Sequence, residues 1–215
     1  MRSERGITGL ETAIILIAFV VVASVFAFTI LSSGLFASER AKETTYAGVE
    51  EAQTTLHPTG GVVALSGPVS TTIAVTRVKF TLSLAADGDA VEMTSAYTAT
   101  GSGAAPVSNG VTSPLVISYT DTSQHISETR WTLAWLANSD GDNLLESNET
   151  AEITVWLQAR AADDSFTLDT SSTVYMDHRL VSNGKFSLEV TPPVGAAFDL
   201  QRTLPPQLDT ALLLD

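Results

Sequence analysis

The chain of 215 residues contains no cysteine, and this absence removes several classes of structure at once. Disulfide bridges, zinc fingers, iron–sulfur clusters and thiol catalysis all need cysteine, so core packing or an oxygen-coordinated metal must hold the fold. Basic residues are also scarce, because 11 Lys and Arg stand against 24 Asp and Glu, a formal net charge of −13. This balance opposes nucleic-acid binding, since phosphate contacts depend on basic side chains, and we expect no nucleic-acid partner.

Recognisable catalytic motifs are missing from the sequence as well. It has no Gly-x-Ser-x-Gly elbow, no phosphate-binding loop and no His-Glu-x-x-His pair. The histidines, His57, His125 and His178, are far apart along the chain. These absences predict that the protein is not an enzyme and has no catalytic residues, although the sequence leaves open a Ser–His–Asp arrangement formed in space.

One long apolar run is present near the N-terminus. Residues 13–31 carry no charge, and only Ser24 and Thr29 interrupt the apolar side chains. At about 1.5 Å per residue, this run nearly spans a bilayer. It continues into a segment of helical periodicity, and Pro58, Gly60 and Gly61 predict where that segment ends. We expect one helix over residues 7–57, which is much longer than the helices of a globular domain.

Secretory signal peptides and one-pass membrane anchors also carry apolar runs near the N-terminus. A secretory signal peptide has a shorter apolar stretch and a small-residue cleavage site after it, whereas this run continues into a second helical segment. A one-pass membrane anchor stays open, but an anchor needs neither the Arg5-Gly6 junction before the run nor the long helix after it.

Glu11 is a lone carboxylate at the start of the apolar run, where an unpaired charge is costly. The stretch Thr8-Gly9-Leu10-Glu11 has the form of a capping box, in which Thr8 caps the helix and Glu11 reaches back to a free backbone N–H. A carboxylate in the first turn is also favoured by the helix dipole. Neither role explains the basic leader before it.

The stretch RGITGLETAIILIAFVVVASVFAF, residues 5–28, resembles the start of archaeal flagellins (archaellins), which belong to the type IV pilin-like superfamily. The resemblance implies that residues 1–6 are a class III signal peptide, cut by a prepilin-type peptidase between Gly6 and Ile7. It also implies that Glu11, then the fifth mature residue, helps to dock the incoming subunit. Arg2 and Arg5 agree with the cytoplasmic side expected from the positive-inside rule.

From residue 58 onward the hydrophobic pattern changes to period two. Runs of alternating apolar and polar residues, separated by Gly-, Asn- and Asp-rich turns, include Val78 to Leu84, Trp131 to Trp135, Ile153 to Leu157 and Phe186 to Val190. Seven or eight such short strands indicate an immunoglobulin-like antiparallel β-sandwich over residues 58–215. The predicted fold class is therefore α+β, with a long N-terminal α-helix followed by this sandwich.

The C-terminal stretch FSLEVTPPVGAAFDLQRTLPPQLDTALLLD also resembles archaellins. Members of that family commonly close with a strand, a Pro-Pro-x-Gly turn and an Arg-Thr-x-Pro segment before an apolar tail. Here these positions are Pro192, Pro193, Gly195, Arg202, Thr203 and Pro205. The two matching ends enclose a middle that carries no such resemblance.

The segment NSDGDNLLESNE, residues 138–149, has the ligand spacing of a calcium loop. Ca²⁺ takes six or more oxygen ligands, and Leu144 could supply a backbone carbonyl. Asn143 stands where such loops have Gly, although Asn tolerates positive φ. An acidic loop that binds nothing is the alternative. The predicted structural Ca²⁺ ligands are Asn138, Asp140, Asp142, Leu144, Glu146 and Glu149.

Asn148 begins Asn148-Glu149-Thr150, the only N-x-[ST] sequence in the chain. If the protein is exported, Asn148 is a candidate for N-glycosylation. Such sequences are short and often unmodified, so the prediction concerns a site rather than a confirmed glycan.

The resemblance implies a function, namely a structural subunit of the archaeal flagellum (archaellum) filament that polymerises through its N-terminal helix for swimming motility. The implied partners are other copies of the chain or other archaellins, a prepilin-type peptidase, and the membrane platform and motor proteins of the archaellum. The implied location is extracellular, with a precursor in the cytoplasmic membrane before assembly. An adhesive type IV-like pilin is the alternative, and its helix and leader would look similar.

Overall fold

The computed structural model describes residues 4–53, 56–85, 88–99, 106–161, 165–168 and 175–214. These residues belong to two compact units, one ending at Val49 and the other beginning at Glu50. The first unit is helical, and nearly all of the second is β-structure and turns.

Helix α1 spans Glu4–Gln53 and has 50 residues, which corresponds to about 75 Å of length. The predicted limits of residues 7–57 are therefore displaced toward the N-terminus at both ends. The helix begins early because Glu4 and Arg5 have good helix propensity, and extending an existing helix costs far less than nucleating one. Leader residues 1–3 lie outside the described part of the chain.

Pro58, Gly60 and Gly61, which were predicted to end the helical segment, lie beyond its last helical residue, Gln53. They lie in the first strand, where Pro58 pairs with Leu82 of the second. Gly60 has a φ of 78°, and the register shifts between Thr59 and Val63, so the strand is irregular at this point. The glycine-rich sequence therefore produces an irregularity within a strand.

Fifteen strands follow the helix within the described residues, eight of them four or more residues long. The seven or eight strands expected from the sequence agree with these longer ones, whereas the two-residue strands carry no detectable periodicity. The strands are β1 Leu56–Val69, β2 Thr72–Leu84, β3 Val91–Glu92, β4 Tyr97–Thr98, β5 Val107–Ser108, β6 Val116–Asp121, β7 His125–Ile126, β8 Arg130–Ala137, β9 Leu144–Leu145, β10 Thr150–Trp156, β11 Ala159–Arg160, β12 Phe166–Thr167, β13 Lys185–Thr191, β14 Phe198–Thr203 and β15 Ala211–Leu214.

The longer strands form two sheets. The larger has the order β11-β12-β1-β2-β10-β8, with β15 also paired to β1, and the smaller has the order β14-β13-β6-β7. All pairs are antiparallel except β1 with β12 among the described strands. Strands β3 with β9 and β4 with β5 form small two-stranded additions. The predicted class, a long helix followed by a mostly antiparallel β-domain, is confirmed.

One hydrophobic core receives side chains from both sheets. Val78, Phe80 and Ile153 of the larger sheet are at most 2% exposed, as are Leu188 and Phe186 of the smaller one. These are positions where the sequence alternates with period two, so the predicted inward faces are correct.

The C-terminal part closes against the start of the β-domain. Pro192, Pro193 and Gly195 lie in the turn between β13 and β14, as the resemblance implied, and Gly195 has a φ of 95°. Strand β15 then pairs with β1, with Leu214 opposite Val62. Nε of Arg202 donates to the carbonyl of Leu214 across 3.4 Å, a further link between β14 and this last strand.

Candidate functional site

The surface of helix α1 is the most unusual feature of the described chain. Its large apolar side chains from Leu10 to Val49 are 48–75% exposed, whereas such side chains are normally buried. They surround the helix, because residues 13–31 contain no charged residue at any helical position. By length and composition, this is the one described helix that could cross a membrane. A helix that is apolar on all sides needs lipid or other helices around it.

The hydroxyl groups within the apolar run have their donors satisfied inside the helix. Ser24 Oγ donates to the carbonyl of Val21, and Thr29 Oγ1 donates to the carbonyl of Val25, each across 2.8 Å. In a surrounding without water, an unpaired hydroxyl is costly. These two residues therefore interrupt the apolar sequence without leaving an unpaired donor on the surface of the helix.

Glu11 is exposed on the helix, seven residues after its first described residue. The capping-box interpretation is wrong, because Thr8 lies within the helix and cannot be its N-cap. Among the described residues, none donates a hydrogen bond to the Glu11 carboxylate. Gly6 and Ile7 are part of the helix backbone in this uncut chain, and the side chain of Ile7 lies outside the described part.

The acidic loop, residues 138–149, connects β8 to β10 and contains β9. Glu149 is 5% exposed, and its carboxylate accepts two backbone N–H groups. Asp140 N–H donates to Oε1 across 3.2 Å and Glu146 N–H donates to Oε2 across 3.0 Å. Glu149 therefore holds together two distant parts of the loop, a role that sequence spacing did not predict.

The remaining predicted calcium ligands serve local turns in this conformation. Oδ1 of Asp140 accepts the N–H of Asp142, Oδ1 of Asp142 accepts the N–H of Leu144, and both carboxylates are exposed. Nδ2 of Asn138 donates to the carbonyl of Asn148. Among the described residues, no three His, Asp or Glu side chains lie close enough together to hold a metal.

The turn geometry of the acidic loop also differs from that of the calcium loop. Positive φ values occur at Asn138 (59°), Gly141 (101°) and Asn148 (73°), not at Asn143, where the calcium loop requires its sharp turn. Calcium binding would therefore require the loop to rearrange and the Glu149 carboxylate to exchange backbone N–H groups for the ion. It stays a prediction, and so does glycosylation of Asn148, which is exposed.

A second polar centre, which the sequence did not reveal, surrounds Asp121 at the end of β6. Its Oδ1 accepts the N–H groups of Ser123 and Gln124, and its Oδ2 accepts the Tyr119 hydroxyl and Nε2 of Gln124. Burial raises the pKa of Asp121, but hydrogen bonds from Gln124, Ser123 and Tyr119 outweigh it, so this pKa lies below the ordinary 3.8. Burial, followed by the Asp121 charge and hydrogen bond, raises the pKa of Tyr119.

The histidines have different partners in the described chain: His178 Nδ1 lies 2.7 Å from Oδ1 of Asp177, whereas His57 lies beside hydroxyl groups. His57 Nε2 lies 3.0 Å from Ser83 Oγ, which in turn lies 2.6 Å from Thr59 Oγ1. Across the part of the chain that the structure describes, no carboxylate is hydrogen-bonded to His57, so the third member of a triad is missing there.

Comparison with known proteins identifies the family of this chain. The family model "Archaeal-type flagellin" matches residues 6–202. The chain belongs to the archaeal-type flagellin family. It is 32% identical to "Probable flagellin 1" of Archaeoglobus fulgidus, over 100% of this chain and 97% of that one. It is also 32% identical to "Probable flagellin 1" of Aeropyrum pernix, over 98% and 97% of the two chains.

A solved structure has the same fold. The chain in "The archaeal flagellum of Methanospirillum hungatei strain JF1" matches with a TM-score of 0.60 at 20% identity, over 96% of this chain and 99% of that one. At this identity the likeness concerns the fold: a long N-terminal helix and a β-domain.

Family membership establishes the function of the chain. This flagellin is a structural subunit of the archaellum filament, where it assembles with other archaellins outside the cell. The adhesive-pilin alternative is not favoured. The family is one of structural subunits, which agrees with the expectation of no enzymatic activity.

Proposed function

We propose that this flagellin enters the membrane as a precursor, is cut between Gly6 and Ile7 by a prepilin-type peptidase, and polymerises through helix α1. The observation that carries the proposal is the exposure of every described large apolar side chain of the helix from Leu10 to Val49. Burying one such side chain stabilises an assembly by about 1.5–3 kcal/mol relative to water. Summed over the large apolar side chains of the helix, this free energy strongly favours a state in which lipid or other helices cover them.

Polymerisation moves the helix from lipid to other helices, and this step gains little from the hydrophobic effect. Lipid tails are as apolar as the side chains they cover, so close packing and polar pairing must favour the filament. The internal bonds of Ser24 and Thr29 permit such packing, because neither hydroxyl needs a donor contact from a neighbour.

Glu11 would supply the polar pairing. Cleavage before Ile7 creates an α-amino group. Its ordinary pKa is about 8, so it carries a positive charge at neutral pH. In an apolar surrounding a carboxylate and an ammonium attract each other strongly, whereas each alone is costly. We propose that Glu11 of an incoming subunit pairs with the new amino terminus of a neighbour, which selects cut chains and sets their axial position.

N-terminal sequencing of the extracellular protein tests the cleavage. A sequence that starts at Ile7 supports the proposal, and retention of Met1 in the exported form contradicts it. Cleavage also predicts that Gly6→Val leaves uncut precursor in the membrane fraction, detected as a larger band, with no filaments on the cells.

Substitution of Glu11 tests the docking step separately. We expect Glu11→Gln to be cut normally but to accumulate in the membrane, because the amide cannot neutralise the amino terminus. Glu39→Gln is the matched control, since Glu39 is an exposed glutamate of the same helix outside the apolar run. Filaments of normal number on the Glu11→Gln cells, counted by electron microscopy, would remove the docking role.

Motility distinguishes the archaellum from an adhesive pilus. The membrane platform and motor proteins are the partners we propose for rotation of the filament. Cells without this chain should therefore stop swimming and still attach to surfaces. Normal swimming combined with lost attachment would favour the adhesive-pilin alternative.

We also propose that the acidic loop binds Ca²⁺ as a structural ion after rearrangement from its calcium-free conformation, and that Asn148 is available for an N-linked glycan. The loop supports both proposals through its exposed oxygens and its exposed Asn148. Mass spectrometry of extracellular filaments tests the glycan, with Asn148→Gln as the variant that should lose the added mass.

A further inference from the structure

The large sheet has a second face, turned away from the hydrophobic core, on which cationic and aromatic side chains lie next to one another. Trp156 of β10 is paired with Arg77 of β2 on one side and with Arg130 of β8 on the other. Since directly paired residues point to the same side of a sheet, the three side chains form a row across three strands. The Arg77 guanidinium carbon lies 5.0 Å from the centre of the Trp156 ring.

Further aromatic rings continue this row at both of its ends, beside Arg77 and beside Arg130. Arg77 and Arg160 lie over Phe166, at 5.8 and 5.4 Å from its ring centre, and Arg130 lies 4.3 Å from the ring centre of Tyr175. With Lys79, this face holds four of the seven basic residues in positions 58–215, where acidic residues number 18. We call Arg77, Lys79, Arg130 and Arg160 the basic face.

Among the described residues, neither Arg77 nor Arg130 of the basic face forms an ion pair with a carboxylate, although Arg130 donates a hydrogen bond to the Tyr175 hydroxyl. Lys79 already pairs with Glu152 across 2.6 Å. The buried Nε of Arg77 has no hydrogen-bond partner in the part of the chain that the structure describes. Burial and then the charge of Arg160 lower the pKa of Arg77, so its surroundings disfavour the positive charge. An incoming anion would stabilise the positive charge of Arg77 and so offset the effects of burial and of Arg160.

A depression of about 370 Å³ lies beside Arg77 on the basic face. Thr132, Thr154 and Trp156 line it, together with the ion pair of Lys79 and Glu152. The Trp156 indole N–H already donates to Thr132 Oγ1 across 3.1 Å, so the groups that can bind a carboxylate there are the Arg77 guanidinium and the threonine hydroxyls.

The same chain carries the complementary charge at the opposite end of the β8–β10 hairpin. Arg130 pairs with Trp156 at one end, and Ala137 pairs with Thr150 at the other, where the acidic loop begins. Seven residues of strand separate these ends by about 23 Å. Asp142 and Glu146 of the loop are exposed. Each subunit is therefore basic at one end of the hairpin and acidic at the other.

We propose that the basic face of one subunit binds the acidic loop of a second copy of this chain in its calcium-free conformation, with Asp142 and Glu146 directed at Arg77. The contact is head-to-tail, since it joins two different surfaces, and contacts of this kind continue indefinitely in an open helical polymer. The proposal rests on polymerisation of the chain, and it adds a contact between β-domains to the contact between helices.

A second copy suits this face better than a small anion does. In a filament, β-domains of the same negative net charge are held close together, and their mutual repulsion opposes assembly. A contact that places the few basic residues against acidic residues of the neighbour offsets that repulsion. It also sets which surfaces meet, because the alternative of acidic loop against acidic loop is repulsive.

Charge exchange in the full-length chain tests the proposal. The face variant is Arg77→Glu, and the loop variant carries Asp142→Lys with Glu146→Lys. Filaments are purified from cells and diluted into low-salt buffer, and the released subunits are measured after sedimentation. We expect each variant to release at least about threefold more subunits than the unmodified filament, because ion pairs at a protein surface have effects of this size. High salt should reduce the difference by screening.

The combined variant gives the decisive result. With both changes in every subunit, the signs at the contact are exchanged, so we expect release to return toward that of the unmodified filament. If Arg77→Glu increases release but the combined variant does not restore it, the basic face binds another anion, and the proposal is wrong. If neither variant changes release, no such contact exists.

Two controls separate this contact from folding and from polymerisation itself. Lys185→Glu reverses an exposed charge on β13, outside the basic face, and should leave release unchanged. Arg77→Gln keeps much of the aliphatic stem over Trp156 and should show the defect even if Arg77→Glu unfolds. If the unmodified chain forms no filaments, polymerisation and this contact are both contradicted, whereas filaments indifferent to Arg77 contradict the contact alone.

Discussion

Tyr119 and Asp121 lie two residues apart on β6, and the Tyr119 hydroxyl donates a hydrogen bond to Oδ2 of Asp121 across 2.8 Å. The same carboxylate ties down the turn after the strand, because Ser123 and Gln124 also donate to it. Tyr119 stacks on Phe186 with ring centres 6.2 Å apart, so the polar centre is attached to the core of the smaller sheet.

Asp121 should make the stability of the β-domain depend on acid. Its pKa is lowered in the folded state, so its stabilising contribution is fully present above the ordinary pKa near 3.8 and is lost as the pH falls through the lower folded value. We expect Asp121→Asn to be less stable than the unmodified chain at neutral pH and to lose less stability below pH 4.

Thermal unfolding of the full-length chain in detergent, followed by near-ultraviolet circular dichroism of the tryptophans at several pH values, measures this effect. Glu128→Gln is the control, because Glu128 is exposed and lies beyond the turn that Asp121 holds. Equal acid sensitivity in Asp121→Asn and the unmodified chain would show that the hydrogen bonds of Asp121 do not shift its protonation.

Glu149 should stabilise the acidic loop through its two backbone acceptor bonds. Glu149→Gln keeps the shape of the side chain but leaves one backbone N–H, of Asp140 or of Glu146, facing an amide instead of a carboxylate oxygen. A buried group that loses its partner costs about 1–3 kcal/mol. We expect a loss of this size in denaturant unfolding. Glu146→Gln should stay within about 0.5 kcal/mol, since that side chain is exposed.

Calcium should raise the unfolding temperature of the chain if the acidic loop binds it. An ion at 100 times its Kd stabilises the folded state by about 2.7 kcal/mol. We expect this shift with Ca²⁺, its reversal by a chelator, and its loss in Asp142→Asn. An unfolding temperature that does not change with Ca²⁺ would contradict the calcium prediction and leave Glu149 with its structural role alone.

Leu188 should be among the most costly positions to truncate. It is 0% exposed at the centre of β13, between Leu200 of β14 and Tyr119 of β6. Replacing a buried leucine with alanine removes packing and leaves a cavity, which costs about 2–5 kcal/mol. Ile73→Ala is the matched control, because Ile73 is 57% exposed, and should change the free energy of unfolding by less than about 1 kcal/mol.

Periodicity predicted the parts of the fold in which one signal dominates. The uninterrupted apolar run specified α1, and strict alternation specified the inward faces of β2 and β13, because burial and period two coincide there. The two-residue strands were not predictable, since two residues cannot show a period. The start of α1 was misplaced because the local capping signal at Thr8 competed with helix propagation from Glu4, and propagation prevailed.

The candidate sites also differ in how far the sequence reveals them. Glu11 stands out in the sequence because it is a single charge beside an apolar run, and its docking role stays a prediction. The neighbourhood of Arg77, Trp156 and Arg130 could not be identified from the sequence, since it depends on the register of three strands that are distant in sequence. The role of Glu149 as an acceptor of backbone N–H groups was equally invisible, because ligand spacing does not show where the main chain of the loop passes.

The pairing of β15 with β1 has a consequence for the timing of export. Val62 and Leu214 are partners although about 150 residues separate them. Contacts of such long sequence separation close late, because the intervening chain must first be available. If the N-terminal helix enters the membrane first, β1 lacks its partner β15 until the last strand has crossed. We therefore expect the large sheet to be completed only after translocation.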